Sequence, residues 1–167
     1  PGTVYSDIIG LAGGVRGLAL SGTTTFTAIS APSHGLIDGI DNLCDLVDVL
    51  VDLQTADGSW YWHSDLASPG EGDKDTQTTA YALMALVAAE DAGCGPCAEQ
   101  IKKARSWIAS MQDTDGGYFS YPGGTHNTEV EGEALNGLTL STDGTLALIG
   151  VDCPDDTDGV EAGYQIE

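Results

Sequence analysis

Basic side chains are nearly missing from this chain. Five Lys and Arg stand against 26 Asp and Glu in 167 residues, a formal charge of −21. A surface of that sign repels nucleic acid, anionic membranes and acidic polysaccharides, and it leaves no cationic pocket for a diphosphate. It fits a salty milieu, divalent cations, or a surface that must stay dissolved. Also lacking is any run of eighteen apolar residues, so no segment reads as a membrane-spanning helix. The chain begins with Pro and shows no basic segment followed by an apolar core, which leads us to expect a processed or excised piece whose targeting segment is gone. Cysteines are few but even in number. Cys44, Cys94, Cys97 and Cys153 suit two disulfides in an oxidising compartment, hence an extracellular or cell-surface protein, with three pairings open.

What is present is repetition. Leu50-Val-Asp-Leu-Gln54-Thr-Ala-Asp57-Gly58-Ser-Trp60 returns 58 positions later as Ile108-Ala-Ser-Met-Gln112-Asp-Thr-Asp115-Gly116-Gly-Tyr118. Each copy is followed by a second helical stretch, Thr76 to Leu86 and then Thr128 to Leu138, now 52 positions apart. The six-residue difference therefore falls in the loop between turn and helix. A unit of this length reads as a helical hairpin that cannot bury its apolar face alone.

Gln-x-x-Asp-Gly-x-Trp after an apolar helix, followed by Thr-Ala-x-Ala-Leu-x-Ala-Leu, resembles the QW-type repeat of the squalene cyclase and protein prenyltransferase superfamily. The likeness covers roughly residues 35–141. It implies an all-α fold, a partial α/α toroid of two tandem hairpins, where the family's full ring has about six. One domain results: an irregular N-terminal segment (1–34), a first hairpin (35–92), a second hairpin (93–141) and an Asp-rich tail (142–167).

Apolar spacing fills in the elements. Asp7 to Leu18 is helix-like although four glycines interrupt it, and could supply part of a third hairpin; Thr23 to Ile29 alternates like a short strand. Leu36, Ile40, Leu43, Val47 and Leu50 form one stripe of an outer helix over 35–54, with Asp38, Asp41, Asp45, Asp48 and Asp52 on another face. The stretch 76–92 is apolar nearly all round and reads as an inner helix capped by Asp75 or Thr76. A second outer helix follows over about 97–112, with Ile101, Ala104, Ile108 and Met111 inward and Glu99 placed to pair with Lys103. Lys102, Lys103 and Arg105 cluster there, either as a solvated face or as a partner for the Asp38-to-Asp52 stripe of a neighbouring hairpin or subunit.

Chemistry has several candidate seats. Asp73-Lys74-Asp75-Thr76 is similar to the Asp-x-Asp-Asp-Thr-Ala stretch of class II terpene cyclases, which makes Asp73 and Asp75 the candidate catalytic acids, with helix capping as the competing role. The transferase branch of the family holds zinc through Asp-x-Cys and a distant His; here Asp152 and Cys153 are adjacent, and His34, His63 and His126 show no ligand-like spacing. Cys94-Gly-Pro-Cys97 matches the thioredoxin motif without a βαβ context, so a structural role is expected, as a local bridge or as halves of longer ones. If the local bridge forms, Cys44 and Cys153 are left to staple the tail. The tail is similar to thrombospondin type 3 repeats, and Asp155, Asp156, Asp158 and Glu161 are candidate Ca²⁺ ligands, against a plain acidic turn. Trp60, Trp62, His63, Tyr118 and Tyr121 could stack on sugar rings, or act as plugs between hairpins.

Three functions remain open. The first is a noncatalytic extracellular structural or assembly protein, a homo-oligomer extending into filaments, because two hairpins leave apolar flanks uncovered. The second is a piece of a terpene-cyclase-like enzyme using Asp73 and Asp75. The third is a carbohydrate-binding module on the aromatic rim, with a glycan as partner. No cofactor other than Ca²⁺, no nucleic acid and no membrane insertion is expected.

Overall fold

A computed structural model describes residues 5–27, 40–65 and 73–141. Among the described residues five helices dominate: α1 (Ile8–Leu20), α2 (Leu43–Asp52), α3 (Thr76–Asp91), α4 (Ala98–Ser110) and α5 (Thr128–Leu140). The class is all-α, as expected. One short ribbon accompanies the helices, β1 (Tyr5–Asp7) antiparallel to β2 (His63–Asp65), with Tyr5 opposite Asp65 and Asp7 opposite His63.

Four of these five helices begin where a short polar side chain satisfies an orphan N–H; α4, which follows Cys97, has no side-chain cap. Asp7, Asn42, Asp75 and Asn127 accept from Gly10, Asp45, Thr78 and Glu129 respectively. At Asn42 the exchange is reciprocal, since its amide also donates to Asp45 Oδ2 at 2.6 Å. α3 ends at Gly93, whose φ of +88° is left-handed and closed to most side chains.

α3 is the centre of the molecule. Eleven of its sixteen residues are buried, many of them Ala, which lets neighbouring helices approach closely. α1 packs on one side of it and α5 on the other, forming one layer; α2 lies across α1 and α3, and α4 across α3 and α5, forming a second. Ile8, Ala12, Val15 and Ala19 turn one buried stripe toward the core, which outweighs the glycines on its other side.

Two local expectations change. The outer helix anticipated over 35–54 is realised as Leu43–Asp52, with Leu43, Val47 and Leu50 buried and Asp45, Asp48 and Asp52 exposed; Leu36 and Asp38 lie outside the described residues. The alternating stretch at 23–29 forms no strand in its described part, residues 23–27. Among the described residues it makes a single bridge, Thr25 to Asn42, with the loop leading into α2.

The joint between α2 and α3 is filled by Trp60, which is completely buried. Its indole N–H donates to the Leu50 carbonyl at 2.9 Å, satisfying a helix-end acceptor, and its backbone N–H donates to Thr79 Oγ1 at 3.1 Å. The start of α3 is held by both turns: Asp75 N–H donates to Trp60 O, and Thr76 N–H to Ser120 O. Replacing Trp60 by Ala should cost about 3–5 kcal/mol by cavity formation, measured by urea unfolding. A loss below about 1 kcal/mol, the scale of a surface substitution, would contradict this packing.

The disulfide joins Cys44 to Cys94, from the first turn of α2 to the loop after α3. The local Cys94–Cys97 bridge is therefore not made, and the dependent pairing of Cys44 with Cys153 falls with it. Cys97 is a buried free thiol, and Cys153 lies outside the described residues. The pairing spans 50 positions. Closing a loop of that length stabilises by about 4 kcal/mol in the chain-entropy account. The Cys44→Ser, Cys94→Ser double variant should lose most of that in denaturant unfolding; an unchanged midpoint would show that the crosslink constrains nothing.

Candidate functional site

The two repeated turns have one backbone design. In the first, Thr55 N–H donates to Ser59 O at 2.9 Å, Gly58 N–H to Thr55 O at 3.0 Å, and Gln54 Nε2 to Gly58 O at 3.0 Å. In the second, Asp113 N–H donates to Gly117 O at 2.8 Å, Gly116 N–H to Asp113 O at 3.0 Å, and Gln112 Nε2 to Gly116 O at 3.1 Å. Gly58 and Gly116 both have left-handed φ, +98° and +91°, which the turn requires and glycine supplies without strain. Trp60 and Tyr118 are buried alike, and bridges follow alike, Tyr61 to Lys74 and Phe119 to His126.

Their surroundings differ. The first turn is seated on α4: Gln54 Nε2 also donates to Gln100 O at 3.0 Å, and a Cβ on Gly58 would lie 2.4 Å from the Lys103 carbonyl carbon. The second has no such partner among the described residues. Gln112 and Gly116 are exposed, and nothing lies within 4 Å of a Cβ built on Gly116.

Their charges differ too. In the first turn Lys74 Nζ bonds Asp57 Oδ2, while Thr55 and Ser59 hydroxyls donate to Oδ1 of the same carboxylate. Burial acts to raise the Asp57 pKa, but the Lys74 ammonium and the Thr55 and Ser59 donors together outweigh it and hold the carboxyl well below its usual range. The corresponding positions of the second turn are Asp113 for Thr55, Asp115 for Asp57, Gly117 for Ser59 and His126 for Lys74. His126 Nε2 lies 3.3 Å from Asp113 Oδ2, and Nδ1 lies 3.5 Å from Asp115 Oδ2. The ring packs against Phe119, centroids 4.8 Å apart, and its side chain is 29% exposed. A Cβ on Gly117 would come within 2.8 Å of His126 Nδ1 and 2.9 Å of Glu131 Oε1. One ligand atom from each of Asp113, Asp115 and His126 can be chosen so that all lie within 4.8 Å of one another.

Sequence reasoning passed over this cluster because His126 follows Asp115 by eleven residues, which is no ligand spacing. The available signal was the 52-residue offset, which places His126 on Lys74.

The residues singled out from sequence are dispersed. Trp60 and Tyr118 are plugs, 0% and 4% exposed, so neither can stack on a sugar; Trp62 and Tyr121 are exposed, and His63 contributes its backbone to β2. Asp75 caps α3, its Oδ1 accepting from the backbone N–H and hydroxyl of Thr78, both at 2.7 Å. Asp73 is exposed, its carbonyl accepting from Trp62 N–H. Lys102 and Lys103 are exposed and make no ion pair among the described residues. Asp155, Asp156, Asp158 and Glu161, the candidate Ca²⁺ ligands, lie outside the described residues.

Thioredoxin-type chemistry has no seat at 94–97. Cys94 is bonded to Cys44, and burial, reinforced by the charges of Glu90 and Asp48, pushes the Cys97 thiol up. In the first layer, the Tyr81 phenol is raised by its hydrogen bond to Glu133 and by burial, linking α3 to α5.

Compared with protein-family models and with curated proteins, the chain finds no match. Among the described residues, no helix is long and apolar enough to cross a membrane.

Because the Asp57 carboxyl is depressed on folding, the stability it contributes is complete above about pH 4 and is lost as pH falls through its folded value. Asp57→Asn should therefore flatten the decline of melting temperature below about pH 4. Parallel pH profiles for the variant and the parent would show that the Lys74 pair carries no linkage.

Proposed function

We propose that this chain is a noncatalytic extracellular structural module that associates head to tail, α5 of one copy against α1 of the next, to build a filament. The reading rests on one observation: among the described residues, both ends of the helical layer carry uncovered small or apolar side chains. On α1, Gly13, Gly14 and Gly17 line the side away from α3, with nothing within 4 Å of a Cβ built on any of them. Each glycine costs an exposed helix about 1 kcal/mol relative to Ala, a price that close approach of another helix would offset. On α5, Leu135 and Leu140 are 51% and 43% exposed.

The molecule contains its own template for such a contact. α3 and α5 meet at Ala80 and Gly137, where a Cβ on the glycine would lie 3.3 Å from the Ala80 carbonyl oxygen. An α1 glycine face against α5 repeats that geometry between copies, and the uncovered second turn would receive α2 as the first turn receives α4. Such a heterologous contact does not close on itself and propagates. Copies carrying −21 repel one another, so salt should favour association. The extracellular setting is supported by the disulfide. Among the described residues Asp73 is exposed and Asp75 is used as a helix cap, which supports a noncatalytic role. The likeness to the squalene cyclase and prenyltransferase repeat, a family whose hairpins complete one another's cores, supports the same arrangement.

Light scattering on the eluting protein over a range of concentrations at high salt should show mass rising in steps above 17.2 kDa. Leu135→Glu should hold it at the single-chain mass. Gly14→Ala should raise the monomer's melting temperature by relieving the helix penalty while weakening association. A strictly monomeric parent at every salt and concentration would overturn the proposal.

A further inference from the structure

We infer that the second turn binds a divalent metal ion of the zinc or manganese kind, through Asp115, His126 and Glu131. The two turns serve as each other's control. The same backbone places Asp57 and Asp115 at one position, and in the first turn a cation already sits there, the ammonium of Lys74. The second turn has lost that ammonium and gained carboxylate: Asp113 replaces Thr55, and His126 replaces Lys74. The position that holds a positive charge in one copy is left in the other with two Asp carboxylates around an imidazole, and Glu131 beside it.

Geometry favours a site over mere crowding. Gly117 stands where the first turn has Ser59, and the space its missing Cβ would fill is the space that His126 Nδ1 and Glu131 Oε1 face. Asp115 Oδ2 approaches the same Nδ1 at 3.5 Å. Ligands of one metal at bond lengths of about 2.0–2.2 Å are at most about 4.4 Å apart. Asp115 Oδ2 and His126 Nδ1 are already within that limit at 3.5 Å, and Nδ1 and Glu131 Oε1 lie 2.8 and 2.9 Å from one point, the empty Cβ position of Gly117, so side-chain rotation in this turn can bring all three to one ion. Asp113, 3.3 Å from Nε2, is positioned to accept the other ring proton and orient the imidazole, the usual partner of a metal-bound histidine. A mixed nitrogen and carboxylate set suits Zn²⁺ or Mn²⁺, whereas Ca²⁺ takes six to eight oxygens.

The test uses the whole chain, with Zn²⁺, Mn²⁺ and Ca²⁺ each added alone and binding followed by calorimetry and thermal melting. The parent should bind a single equivalent of Zn²⁺ or Mn²⁺ and melt higher with it. His126→Ala and Asp115→Asn should lose both effects, and Asp113→Asn should weaken binding about 10–100-fold. His126→Lys should rebuild the first turn's ion pair, melting at least as high as the metal-free parent and no longer responding to metal. Asp155→Asn with Asp158→Asn, Cys97→Ser and His63→Ala should each retain the binding, separating this site from the acidic tail, the thiol and the other described histidine. Binding that survives His126→Ala, a preference for Ca²⁺, or an adventitious ion only, bound weakly and without a melting shift, would overturn the inference. Because the readout is metal binding by single chains, it stands or falls separately from the head-to-tail assembly.

Discussion

The seating of Trp60 between α2 and α3 is the contact on which the rest of this molecule depends. A bulky, fully buried indole fixes the distance between the two helices, and its one polar atom is spent on the Leu50 carbonyl, an acceptor that the end of α2 would otherwise leave without a partner. The backbone of the same residue holds Thr79 and Asp75, so the position at which α3 starts is set by the turn before it. Once α3 is placed, its Ala-rich surface accepts α1 on one side and α5 on the other. The disulfide from Cys44 to Cys94 closes the same joint from the far end of α3. Hydrophobic burial, a hydrogen bond and a covalent link thus constrain a single interface.

Repetition makes the divergence of the two turns informative. Identical backbones bond identically, yet one is neutralised by Lys74 and covered by α4, and the other is acidic, holds an imidazole and is uncovered among the described residues. In a chain with so few basic residues, an ammonium placed on a carboxylate is a rare commitment. The first turn uses it to rigidify an internal joint. The second turn also holds the start of α3, through Thr76, but among the described residues it has no helix seated on it and its acids are met by an imidazole in place of an ammonium.

Much of the fold was legible from the residues. The apolar period of 76–92, the glycine after it and Asp75 before it marked α3 to within a residue, because local signals and tertiary burial agree there. α4 and α5 were placed to within two residues, α4 by its apolar stripe and α5 by the repeat. α1 was harder to read, since its four glycines argue against a helix that packing on α3 and α2 sustains. Cysteine pairing was not legible: the Cys-Gly-Pro-Cys spacing offers a local bridge, and only the placement of α2 beside the end of α3 brings Cys44 to Cys94 instead. The roles of Trp60 and Trp62, two residues apart with one buried and one exposed, depend on which face the turn presents.

By itself the sequence determined the helical class, the tandem turns, the caps and the acidic surface, because these follow from composition and from periods of a few residues. Tertiary structure decided what meets what. His126 and Asp115 are brought together by a turn folding back through Phe119, Cys44 reaches Cys94 across 50 positions, and among the described residues the second turn is left open where the first is covered. The physical reason is that backbone preference and capping act within a turn or two of helix, whereas ligand sets, crosslinks and free faces depend on distances that only the packing of α3 against its neighbours establishes.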